Sequence, residues 1–331
     1  MGLQASDLIK MAPTADESAA AVEGRSPLSL VMARLRTDRV AIAAVVVIIL
    51  MVLFAIFAPL VASLTGHPAN VTNLDTGTNS AGGPLPPLTS GYLLGTDNLG
   101  RDILVRLAYG ARVSLMVGVL ATLLAAALGV VVGLLSGYYG GWIDTFLARI
   151  MDVVLSFPYV LLAIALVSVA GPSLPLTIAV IAFFSWAAIG RVVRGQAISQ
   201  REKEYVEAAH SLGASDFRVM FIEILPNLVA PVIVLATLLI PVAIVFEATL
   251  SYLGLGIPLP TASWGNMLSD AQGTGAANPF TIWWFWLLPM LFLLLTTLAF
   301  NLLGDAVRDA LDPRTERIFA MRRKGKKKAD S

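Results

Sequence analysis

The chain has 331 residues, 57% of them hydrophobic, and its 23 Lys and Arg with 22 Asp and Glu make up only 14% of the total. Soluble domains run at about 25% charged, so the composition argues against an ordinary globule, and a net charge of +1 argues against a nucleic-acid binder. Zero Cys and two His remove disulfides, thiolate nucleophiles and multi-histidine metal centres, and no metal or cofactor is expected in the chain itself.

In chain order, residues 1–25 read as disordered, and Ser26-Pro27 as the cap and first turn of a short helix that completes a cytoplasmic tail over 1–39. A hydrocarbon core about 30 Å thick takes roughly 20 apolar helical residues. Six stretches meet or approach that length: 40–62, 113–135, 149–170, 174–190, 228–250 and 283–304. The first follows too many polar residues to be a signal peptide and reads as an uncleaved span. Between the first two, residues 63–112 form an outer loop, in which 76–91, rich in Gly, Pro, Ser and Thr, reads as an irregular insert without a core. The third is read as one span that carries Asp152 at its start, and the fifth contains Pro231, Pro241 and Glu247, prolines that membrane helices tolerate. Trp283-Trp284-Phe285-Trp286 reads as an aromatic belt at the outer interface, and Tyr138, Tyr139 and Trp142 as its counterpart at the inner one.

The basic residues orient these spans. Arg25, Arg34, Arg36 and Arg39 precede the first; Arg191, Arg194, Arg201, Lys203 and Arg218 lie between the fourth and fifth; nine more follow the sixth. Of the three opposite loops, those between spans three and four and between five and six have none, and the long first one is near neutral, with Arg101, Arg106 and Arg112 against Asp75, Asp97 and Asp102. Both termini are thus expected in the cytoplasm, which requires an even number of spans. The core is 113–304, with a cytoplasmic loop at 191–227, and 305–331 is a basic tail whose run at 322–328 is either simply solvated or drawn to anionic lipid.

An intramembrane hydrolase needs a nucleophile and base in reach, but His67 falls in the outer loop and His210 in the inner one. An ion-coupled transporter needs ionisable groups along a pathway, and the spans offer only Asp152 and Glu247, near opposite faces. Glu247 reads as pairing near the interface or as lining an outer vestibule. The only Gly-Lys pair, Gly325-Lys326, is not a phosphate loop, so ATP hydrolysis is not expected on this chain.

In the inner loop, Tyr205, Ala208, Ala209 and Leu212 recur at spacings of three and four, one face of a short helix with Glu204 and Glu207 off that face. Gly213 supplies a C-terminal stop, and Ser215 or Asp216 a cap for the next helix toward Pro226. By periodicity alone this pair either lies on the membrane surface or inserts its stripe into a partner's groove.

Glu207-Ala208-Ala209, Gly213 and Leu225-Pro226 resemble the EAA loop of permease subunits of bacterial ABC importers. The one departure is Glu223 where the family has an apolar residue, with Ile224 following it. Three further runs resemble the second permease of the dipeptide, oligopeptide and nickel importers: 94–102 continuing to 109–115; 251–256 with Ser263-Trp264-Gly265; and Gly304-Asp305 through Asp312-Pro313-Arg314. The resemblance covers roughly 27–316.

It implies an all-α, six-span type I permease fold in the bacterial inner membrane. The implied partners are a second homologous permease, one or two cytoplasmic ATPase subunits carrying ATP and Mg, and an external solute-binding protein. It also implies that Tyr205, Glu207, Ala208, Ala209, Leu212 and Gly213 belong to a coupling helix that docks on the ATPase. Asp97, Arg101 and Asp102 are expected to order the loop entering span two, or to meet the binding protein. Gly254 and Gly256, with Trp264 and Glu247, are expected in an outer gate. Peptides lead as substrate, with nickel or another small solute behind; the rival class is a self-sufficient secondary transporter.

Overall fold

The computed structural model describes residues 38–273 and 279–311. Residues 1–25, Ser26-Pro27, the Asp312-Pro313-Arg314 motif and the run at 322–328 lie outside them.

Helix α1 (Arg39–Ile56) starts where the Asp38 carboxylate accepts from the Val40 amide at 2.8 Å, and α2 (Ala58–Thr65) follows after a break at Phe57. The first expected span is therefore two segments. A short α3 (Leu74–Gly77) sits in the outer loop. Helix α4 (Ile103–Tyr139) starts at Ile103 rather than 113, capped by Asp102, whose side chain accepts from the Leu104 amide at 2.8 Å. At about 1.5 Å per residue its 37 residues exceed the bilayer core, so Arg106 and Arg112 lie in its first turns rather than in a loop.

The third expected span is corrected. It is two helices, α5 (Gly141–Ser156) and α6 (Tyr159–Ala170), bent by 83°. Pro158 has no amide to continue the ladder and pushes Phe157 into extended backbone (ψ 138°), which ends α5. Pro231, Pro241 and Pro289 sit inside unbroken helices, so residue type alone did not distinguish these positions.

Helix α7 (Leu174–Arg201), capped by Ser173, runs three turns past its expected end. The inner loop holds α8 (Glu204–Ser211), α9 (Asp216–Arg218) and a π turn (Val219–Ile224) that flows into α10 (Leu225–Tyr252). Then come α11 (Trp264–Gln272), a 3₁₀ turn (Pro279–Ile282) and α12 (Trp283–Leu311). Five helical stretches among the described residues are long and apolar enough to cross a membrane, and the bent α5–α6 pair makes six when taken as one span. Among the described residues there is no strand, only isolated bridges in the outer loop.

Helices α4 and α7 lie side by side along a glycine seam. A Cβ on Gly137 would come within 2.6 Å of the Arg194 carbonyl and one on Gly129 within 2.7 Å of that of Trp186; Gly133 abuts the Gly190 carbonyl. Small residues every fourth position let two membrane helices approach backbone to backbone. Sequence numbers rise together along the seam, so the helices are parallel, and α5–α6 must carry the chain back between them. One buried cluster joins α4, α7 and α10; a second joins α1, the start of α4, α11 and α12 around Trp264 and Phe285.

Candidate functional site

Two regions carry the polar residues of interest, one at each end of α4. At its start, the expected local pairing of Asp97 with Arg101 is present and forms part of a wider buried ion network. Arg101 Nε donates to Asp97 at 2.5 Å and its Nη2 to Asp270 at 2.8 Å; Arg106, fully buried, reaches the same two carboxylates at 3.4 and 3.3 Å. Two guanidinium groups and two carboxylates balance, which is what allows them to be buried. Asp102 caps α4 and lies 2.9 Å from His67 Nδ1, whose ring stacks on the buried Tyr92.

The outer insert is therefore anchored rather than coreless. Leu85, Tyr92 and Thr96 are buried, and Thr96 Oγ1 donates to the Gly77 carbonyl at 2.7 Å while accepting from the Leu85 amide. The belt reading also needs correction: Trp284 and Phe285 face inward, with the Trp284 indole donating to the Thr96 carbonyl at 3.2 Å, and Trp283 is exposed. The outer loop covers this position, so Trp284 finds a backbone acceptor there.

The gate candidates are packed against the same end. Glu247 is fully buried and accepts from Ser114 and Ser251, each at 2.8 Å. That gives it partners on α4 and on its own helix, and no exposure to a vestibule. Gly254 (φ +76°) closes α10, with Leu255 N donating to the Leu250 carbonyl at 2.8 Å. Gly256 packs against the Ser251 side chain, whose oxygen accepts from the Ile257 amide at 3.2 Å. Trp264 is fully buried beside Gly110 and donates to the Leu107 carbonyl at 3.2 Å.

At the other end, α8 is short enough that one side must pack. The structure divides the expected stripe: Val206 is buried, Tyr205 and Ala209 are half-buried, whereas Ala208 and Leu212 face outward with Glu204 and Glu207. Val206 fills the core beside Val219 and Met220, which settles the rotation of so short a helix. Gly213 (φ +80°) ends it in a Schellman turn: Gly213 N donates to the His210 carbonyl at 2.9 Å and Ala214 N to that of Ala209 at 3.0 Å. Of the two candidate caps, Ser215 accepts from Arg218 N. Ile224, one place later than the family pattern, is fully buried at the end of a π turn, a wide turn that absorbs an extra residue.

The loop is braced to its neighbours. The buried Tyr138, at the end of α4, donates to Asp216 at 2.8 Å and lies 3.3 Å from His210 Nε2, so it is not an interfacial aromatic. Arg201 donates to the Tyr138 carbonyl at 2.9 Å, and Arg194 grips Asp144 at 2.5 and 2.7 Å. Tyr205 donates to Gln200 at 3.0 Å and accepts from Asn227, tying α8 to α7 and α10. Burial, reinforced by nearby Glu223, holds its phenol above its ordinary pKa, so it remains a hydroxyl donor. The arrangement is a rigid bracket on α4, α7 and α10 presenting Glu207, Ala208 and Leu212; Leu212 is 88% exposed.

Residues 129–317 match the family described as binding-protein-dependent transport system inner membrane component. The chain belongs to this family. Residues 26–87 match the N-terminal TM domain of oligopeptide transport permease C. The permease is 40% identical over 289 residues to the dipeptide transport system permease protein DppC of Alkalihalophilus pseudofirmus, covering 87% of this chain and 90% of the relative. It is 41% identical over 293 residues to the oligopeptide transport system permease protein OppC of Escherichia coli K12, covering 88% and 93%. A chain of the MetNI methionine ABC transporter, solved in inward facing conformations, superposes with a TM-score of 0.50 at 15% identity, covering 62% of this permease and 96% of that chain. The fold and the family agree: this is the multi-pass membrane permease subunit of an ABC importer.

Proposed function

We propose that this permease imports short peptides across the bacterial inner membrane. It works as half of a pathway completed by a second homologous permease, driven by one or two cytoplasmic ATPase subunits that carry ATP and Mg, and fed by an external solute-binding protein. The observation that carries the reading is the bracket at the cytoplasmic end. Tyr138 of α4, Gln200 of α7 and Asn227 of α10 contact α8 while Glu207, Ala208 and Leu212 remain open to a partner, which gives a push on α8 a path to α4 and α10. Differential contacts of α8 in the two nucleotide states of the ATPase then bias the permease pair between inward and outward opening. The peptide assignment rests on the dipeptide and oligopeptide relatives.

Its test is uptake into liposomes containing the full complex, with dialanine, trialanine or nickel offered to the binding protein. Peptide uptake that requires ATP and binding protein supports the reading; uptake of nickel alone replaces the substrate; uptake without ATPase subunits overturns the mechanism.

A further inference from the structure

On the face of α10 away from the Glu247 cluster, a concave pocket of about 320 Å³ opens between α6, α10 and α12. It is lined by Tyr159, Pro241, Val245, Thr249, Thr297 and Asn301 among others, and none of its lining residues carries a charge. Gly304 packs on Leu238, which sets the register of α12 on α10 and places Asn301 level with Pro241, near the middle of α10 (Leu225–Tyr252). At that depth Asn301 is exposed, and among the described residues its carboxamide has no hydrogen-bond partner.

An unpaired amide facing hydrocarbon is costly, and polar side chains at such depth face a protein partner or a wet cavity instead. The surrounding pattern separates these two. Along one stripe of α12, Met290 and Leu294 are exposed and apolar, whereas Thr297, Asn301 and Asp305 follow at intervals of four toward the C-terminal end. By the charge distribution that end is cytoplasmic. A single interhelical hydrogen bond calls for one polar residue at a packed contact; a polar track starting in a pocket and running to one membrane face suits water and a solute. The Asn carboxamide, donor and acceptor at once, matches a peptide bond, and the uncharged lining sets no preference for side-chain charge.

We propose that this concavity is the chain's share of the pathway wall and that Asn301 hydrogen-bonds the backbone amides of short peptides in transit. The proposal rests on the importer function above and adds the contact surface to it.

The chain has no cysteine, so label found on it after the subunits are separated marks the introduced thiol. Asn301→Cys and Val245→Cys are compared with Leu123→Cys, which is exposed on α4 and outside the pocket lining, all in the complete complex in liposomes. A charged methanethiosulfonate should label positions 301 and 245 at least about tenfold faster than 123, because only a thiol in water ionises to the reactive thiolate. The adduct at 301 should stop trialanine uptake while ATP hydrolysis continues. Asn301→Gln should keep uptake and Asn301→Leu should lose most of it.

Labelling at 301 as slow as at 123 would mean a lipid-facing surface and overturn the proposal. So would copper-phenanthroline oxidation that joins the Asn301→Cys thiol to a cysteine introduced on the second permease, without labelling by the reagent, which would make the pocket a subunit interface. Fast labelling whose adduct leaves uptake unchanged would overturn it too. If the unmodified complex takes up no trialanine, the peptide reading fails with the peptide contact, whereas the labelling contrast still reports whether the wall is wet.

Discussion

The shape of the coupling loop can be perturbed at Gly213 without removing any side-chain contact. Its φ of +80° closes two backbone bonds, and no atom lies within 4 Å of where a Cβ would stand. Gly213→Ala therefore meets no clash and carries only the left-handed conformational cost, about 1–2 kcal/mol. Asn tolerates this region better, so Gly213→Asn loses less. Gly213→Pro fixes φ near about −65° and removes the amide that donates to His210, so the turn cannot close. If only the closed turn docks, apparent affinity for the ATPase falls with its population, and 1.4 kcal/mol corresponds to about tenfold. Gly and Asn should lie close together, Ala should be down by up to roughly thirtyfold, and Pro should be uncoupled. The assay is peptide-stimulated ATP hydrolysis against ATPase-subunit concentration, at matched amounts of inserted permease. A Pro variant that couples normally, or an Asn variant as poor as Pro, would refute the conformational argument.

Three further outcomes follow from the geometry. Arg106→Ala leaves Asp97 and Asp270 sharing one guanidinium in a buried site, an expected loss of about 3–5 kcal/mol that should lower the thermal midpoint in detergent and open the outer loop to protease. Gly133→Ala drives a methyl into the Gly190 carbonyl across the α4–α7 seam, where neither backbone can yield; overpacking of about 1–3 kcal/mol should reduce the yield of folded permease, while Ala at the open Gly195 is tolerated. Tyr138→Phe removes one hydroxyl bonded to the exposed Asp216, worth about 1 kcal/mol, so hydrogen exchange should speed up across 208–218 with the spans unchanged.

The spans were legible because lipid demands apolar helix over a set length, and the Gly213 stop because a left-handed residue after a short amphipathic run has few substitutes. The break at Pro158 was not, since Pro231, Pro241 and Pro289 have the same chemistry inside intact helices. The Arg101–Asp270 pair spans 169 positions, beyond the reach of any local pattern, and its partner Arg106 therefore read as a loop charge. In α8 the stripe misled because eight residues make barely two turns; Val206, one place off it, finds the core and turns Ala208 and Leu212 outward. The period-four glycines 129, 133 and 137 were a readable signal of the α4–α7 contact.

The central claim is that α8 transmits force between this permease and an ATPase. Its most direct test reconstitutes the complete complex with and without Glu207→Arg, an exposed position whose charge reversal leaves the α8 core untouched. Peptide-loaded binding protein should stimulate ATP hydrolysis and uptake in the wild-type complex and neither in the variant, at equal insertion. Unchanged stimulation in Glu207→Arg, or transport by the purified chain alone, would contradict the account.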